Sequence, residues 1–137
     1  MAKGDSLFIV RSEEESGSLT ADANVDLQCK ADAIGCILLL DVDTLTGSSP
    51  TLDIKVQGLI PSAAKGSAVY ADIPGCSFPQ LTTSNDDTQH TLTIYPGVAE
   101  TSNISVSQTL PQKIRIVLDA GGSSPVCPVT IVGYWQS

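Results

Sequence analysis

The chain is short of the residues from which most enzymatic sites are assembled. It has one histidine, His90, one methionine, and only one tryptophan, two phenylalanines and three tyrosines. A single imidazole leaves little scope for a nucleophile activated by a neighbouring base, and no GxSxG, P-loop or GxGxxG pattern occurs. Positive charge is also scarce, with seven Lys and Arg against fifteen Asp and Glu for a net charge of −8. Lys3, Arg11, Lys30, Lys55, Lys65, Lys113 and Arg115 are scattered, whereas a nucleic-acid grip clusters its cations to release counterions. The composition therefore argues against nucleic acid as a partner. No apolar run approaches the ~18 residues of a membrane span, and no ten-residue window shows a sustained helical stripe of apolar positions. With so few aromatics, the core has to be aliphatic.

What the chain does have is alternation. In residues 37–59, ILLLDVDTLTGSSPTLDIKVQGL, Leu38, Leu40 and Val42 share one face with Asp41 and Asp43 on the other. Leu52, Ile54 and Val56 then alternate with Asp53, Lys55 and Gln57, the period of a half-buried strand. Between them lies Gly47-Ser48-Ser49-Pro50, a run of turn-forming residues in which glycine can adopt φ > 0. This predicts an antiparallel hairpin, with Asp41 or Asp43 facing Lys55 across it. The punctuation returns as Gly122-Ser123-Ser124-Pro125 within 113–135 and predicts a second hairpin, whose Cys127, Val129, Ile131 and Gly133 repeat the parity of Leu52, Ile54, Val56 and Gly58.

Further strands are expected over 18–29, 67–73, 90–95 and 103–110, with a turn at 61–66 and a loop over 74–89. In 103–110, Ile104, Val106 and Leu110 share a face, and Gln108 stands at a rim or marks a bulge. Seven to nine short strands separated by Gly, Pro and Ser turns predict an all-β fold. The expected architecture is a single antiparallel β-sandwich or jelly-roll-like barrel with two GSSP hairpins, occupying residues 1–137. Residues 1–17 form a candidate N-terminal docking arm. The start of the chain reads as lacking a signal peptide, so synthesis and retention in a cytoplasm are expected.

Candidate chemistry is sparse. Cys29, Cys36, Cys76 and Cys127 include no CxxC, which makes buried reduced thiols the favoured reading over a disulfide or a zinc site. His90 reads as an exposed strand-edge residue. Asp41 with Asp43, and Asp86 with Asp87, read as solvated acids, since calcium requires six to eight oxygens in a shaped loop. Tyr70, Tyr95, Tyr134 and Trp135 are the candidates for a glycan platform, with Trp135 better suited to a core or interface anchor. No catalytic, cofactor-binding or metal residue is assigned, and no enzymatic activity or cofactor is expected.

The order DxxxGSSPTLDIKVQ, IPGCSFP, HTLTIYPG and GGSSPV resembles small β-sandwich virion proteins of tailed bacteriophages. Those proteins repeat a Gly-x-Ser-Pro turn near the middle and near the C-terminus. The matching positions are 47–57, 91–97 and 122–132, and the resemblance runs from about residue 34 to the end. An aromatic common in the family soon after the first turn is replaced here by Gly58-Leu59-Ile60-Pro61, with Tyr70 later. The resemblance implies a non-enzymatic protein that decorates and cements the capsid, with the major capsid protein and copies of itself as partners, in a homotrimer. A neck or tail component, or a glycan-binding module, is the alternative. Residues 7–10 and 74–89 are the expected docking segments, and the capsid surface is the expected location.

Overall fold

Strand alternation dictates the architecture. The computed structural model describes residues 6–60 and 69–137; the turn expected at 61–66 lies outside them. In chain order the elements are β1 (Leu7–Arg11), α1 (Glu13–Ser16), β2 (Ala23–Gln28), β3 (Gly35–Val42) and β4 (Thr46–Ile60). There follow β5 (Val69–Ser77), β6 (Thr88–Ile94), β7 (Ser105–Val106), β8 (Lys113–Val126) and β9 (Val129–Gln136). They form a five-stranded sheet ordered β1-β9-β3-β6-β7 and a four-stranded sheet ordered β2-β8-β4-β5. Every pairing is antiparallel except the short parallel one between β6 and β7.

The two sheets pack face to face as an all-β sandwich, and the parities read from the sequence supply its core. Leu38, Leu40 and Val42 of β3, with Leu92 and Ile94 of β6, meet Leu52, Ile54 and Val56 of β4. Ile114, Ile116 and Leu118 of β8 and Val129 and Ile131 of β9 complete the layer. Each fully buried aliphatic side chain contributes roughly 1.5–3 kcal/mol relative to exposure. All four cysteines are buried and free.

The two expected hairpins are not formed. β3 pairs with β6 and β9, whereas β4 pairs with β5 and β8, so the strands flanking the first GSSP lie in opposite sheets. The same is true of β8 and β9. Each connection is a corner that crosses between sheets, the first carrying buried Leu45 and the second fully buried Cys127. The two GSSP segments instead lie against each other in the β4–β8 ribbon, with Thr46 opposite Val126 and Ser48 opposite Ser123. The register shifts on both sides of Ser48. Positive φ at Gly47 (120°), Ser49 (49°), Gly122 (93°) and Ser124 (49°) absorbs those shifts. The glycines do adopt φ > 0, as their setting predicted, but they serve a paired bulge and not a reversal.

Other segments depart in detail. β2 starts at Ala23, and Leu19 ahead of it is held by an isolated bridge to Cys127. Residues 74–77 belong to β5, and the connection after them buries Phe78 and Leu81, with Leu81 and Leu52 exchanging backbone hydrogen bonds of 2.9 Å. The expected docking loop 74–89 is thus pinned to the sandwich. In 103–110 only Ser105–Val106 is strand; Ile104 is exposed and Gln108 lies at the surface. Lys55 pairs with Asp72 at 3.1 Å, not with Asp41 or Asp43, because it stands in the other sheet.

Candidate docking face

The outer faces of the two sheets have opposite characters. On the four-stranded sheet, Asp26, Arg115, Gln57 and Asp72 stand in one row across β2, β8, β4 and β5. Arg115 grips Asp26 with Nε at 2.7 Å and Nη2 at 3.1 Å from its two oxygens, and its guanidinium carbon lies 3.9 Å from the centre of the Tyr70 ring. The Arg115 hydrogen bonds hold the Asp26 carboxyl below the usual carboxylate value. Gln57 and then Lys55 do the same for Asp72. These side chains satisfy one another and water, as a solvated face requires.

The five-stranded sheet is different where β1, β9 and β3 adjoin. The registers align Leu7 with Tyr134, Ile37 and Thr93, and Ile9 with Val132, Leu39 and Thr91. Residues directly paired across strands share a face. Three neighbouring strands therefore present aliphatic and aromatic side chains outward. Leu7 and Ile9 are 62% and 60% exposed, the highest among the large hydrophobics of the described residues. At one end the face meets a polar rim: Asp41 aligns with Thr130, whose hydroxyl accepts the Glu13 N–H at 3.1 Å. Contiguous exposed apolar surface of this kind marks an interaction site more often than scattered single residues do.

Beneath the face, β1 is fastened by its inward side chains. Phe8 stacks on Trp135 with ring centroids 4.0 Å apart and an interplanar angle of 18°. Gly133 opposite leaves the space for that ring, since a Cβ there would fall inside it. Val10 is buried, and Arg11 donates from Nη1 to the Val129 carbonyl at 2.7 Å and from Nη2 to the Gly17 carbonyl at 2.6 Å. The part of the candidate arm that is described is thus a strand of its own sheet, with Leu7 and Ile9 left outward.

The remaining candidates are not brought together. Trp135 faces inward and Tyr70 lies on the other sheet, while Tyr95 donates its hydroxyl to the Ser137 carbonyl at 3.1 Å. These positions form no common platform for a sugar. His90 is half-buried, not exposed, because it shares the inward parity of Leu92 and Ile94 at the end of β6. Its Nε2 is 2.9 Å from the Thr88 hydroxyl, which itself donates to the Asn85 carbonyl at 2.8 Å. Asp86 accepts the Leu45 N–H at 2.9 Å and Asp87 accepts the Thr44 hydroxyl, so this pair pins the first corner. Among the described residues no group of three or more His, Cys, Asp or Glu is placed to hold a metal ion.

A cleft of about 630 Å³ is lined by Gln28, Cys29, Lys30, Leu110 and Gln112 among others. Burial pushes the Cys29 thiol up to about 11 and Cys76 up to about 12, and raises Cys36 further. Cys29 is the thiol of the three that lines the cleft, and a protonated thiol is a weak nucleophile at neutral pH.

No family model matches the chain, and none of the curated proteins compared with it matches significantly.

Proposed function

We propose that this chain is a non-enzymatic virion structural protein of a tailed bacteriophage, decorating and cementing the capsid through protein–protein contacts. The observation that carries the reading is the asymmetry of the sandwich. One outer face is knit by ion pairs, while the other presents Leu7, Ile9, Ile37, Leu39, Val132 and Tyr134 without a charge among them. The aliphatic face seats on the major capsid protein and the charged face looks to solvent. The resemblance of the GSSP segments and of residues 91–97 to phage virion proteins supports the same assignment. Covering Leu7 and Ile9 alone is worth roughly 1.5–3 kcal/mol for each side chain fully buried. Many such contacts across a shell offset the outward pressure of packed DNA.

Quantitative mass spectrometry of purified virions tests the role. A cement protein is present in numbers comparable with the capsomers. A ring-like handful of copies contradicts cementing and assigns the chain to the neck or tail.

A further inference from the structure

Sheet edges expose unpaired N–H and C=O groups, and soluble proteins blunt them with charge, proline, bulges or brevity. Three of the four edges here are blunted. β2 presents Asn24, Asp26 and Gln28 along its length, β5 is interrupted by Pro74 and by Gly75 at φ 71°, and β7 has two residues. β1 is blunted only at its far end, where the register shifts between Ile9 and Arg11; Leu7-Phe8-Ile9 ahead of that shift carries no charge and no proline. Among the described residues no strand pairs with its outer edge.

We propose that this edge pairs with a second copy of the chain, β1 against β1 in antiparallel register about a two-fold axis. Such an isologous contact is self-complementary. It sets Leu7 and Ile9 of one copy beside Ile9 and Leu7 of the other, and joins the two five-stranded sheets into one. Charge selects this edge over other approaches between copies. With a net charge of −8, two copies repel wherever acids meet, and the outward positions nearest the edge, Leu7, Ile9, Val132 and Tyr134, are uncharged. The antiparallel arrangement also sends the Arg11 and Glu13 ends of the two copies in opposite directions. One five-residue edge covers less than the ~800 Å² per partner of a standard interface, so the dimer forms in a concentration-dependent way. The pairing shares Leu7 and Ile9 with the proposed capsid face but not Leu39, two strands in from the edge, so Leu39 tests the two contacts apart.

Sedimentation equilibrium of the purified full chain over a range of concentrations tests it. The parent is expected to shift reversibly from monomer to dimer. Ile9→Lys is expected to weaken self-association by about tenfold or more, because a lysine then replaces the aliphatic partner of Leu7 on both sides of the axis and the two like charges stand diagonal to each other. Ile9 is 60% exposed, so an unchanged melting temperature and unchanged Trp135 emission confirm that this variant folds. Leu39→Lys, two strands away on the same face, is expected to dimerise like the parent. A parent that stays monomeric, one that sediments as a trimer, or an Ile9→Lys variant that dimerises unchanged overturns the proposal. Loss of head binding by Leu39→Lys with dimerisation intact separates this contact from capsid docking.

Discussion

Gly47 and Gly122 hold equivalent places in the β4–β8 ribbon, each packed against the Ser-Ser backbone of the other's motif. A Cβ on Gly47 would lie 2.7 Å from the Ser124 carbonyl oxygen and 2.9 Å from that of Ser123. One on Gly122 would lie 2.6 Å from the Ser49 oxygen and 2.7 Å from that of Ser48. Each glycine is therefore required twice, by its own positive φ and by the backbone of the other's motif.

Gly47→Val and Gly122→Val are accordingly expected to destabilise the chain by ~1–3 kcal/mol each. Thermal unfolding followed by circular dichroism reads the loss. Because the two bulges share carbonyl contacts, the double variant is expected to lose less than the sum of the single ones. Binding to heads should recover with the fraction folded at lower temperature. A Gly47→Val variant that melts like the parent yet no longer binds would make the ribbon a contact surface.

The residues of these motifs also show where sequence reading stops. Alternation fixed the side on which Leu38, Leu40, Val42, Leu52, Ile54 and Val56 fall, because face is a local property of period two. Pairing is not local. Gly, Ser and Pro at 47–50 resemble a reversal, but here they widen a strand to meet its counterpart. The true corners contain Leu45 and Cys127, which are buried at the end of the core and so lack loop composition. The aliphatic outer face was hidden for the same reason, since no local pattern places β1, β9 and β3 side by side. A signal did exist: LFIV, CILLL and TIVGYW are apolar on both faces of their strands, which a strand with one solvated face does not need.

Phe8→Ala is expected to loosen β1 while sparing the sandwich. The ring is partly buried and stacks on the only tryptophan, so a loss of ~1–3 kcal/mol should accompany a red shift in Trp135 emission. Gly133→Val should produce the same shift by filling the slot. Hydrogen exchange should then show faster labelling of residues 7–10 and little change in β4 and β8.

Arg11→Met keeps much of the side chain's bulk and removes its donors. The Val129 and Gly17 carbonyls lose charge-assisted hydrogen bonds, worth about 1.5–3 kcal/mol each in context. Glu13 contributes less, its Oε2 standing 3.8 Å from Nη1. Urea denaturation should therefore show a larger loss for Arg11→Met than for Glu13→Gln.

The cysteines should be silent in the native chain. Burial raises the thiols of Cys29, Cys36, Cys76 and Cys127, so at pH 8 little thiolate is present and access is poor. A chromogenic disulfide reagent is expected to titrate all four only after denaturant is added. Rapid native reaction of any one would show that its pocket opens to solvent.

Capsid docking through the aliphatic face is tested most directly by co-sedimentation with heads stripped of this protein. The parent should saturate the heads, and Lys113→Glu on the opposite sheet should bind equally well. Leu39→Lys, folded with a parental melting temperature, should remain in the supernatant. Parental binding by Leu39→Lys, or loss of binding by Lys113→Glu, would contradict the assignment of this face.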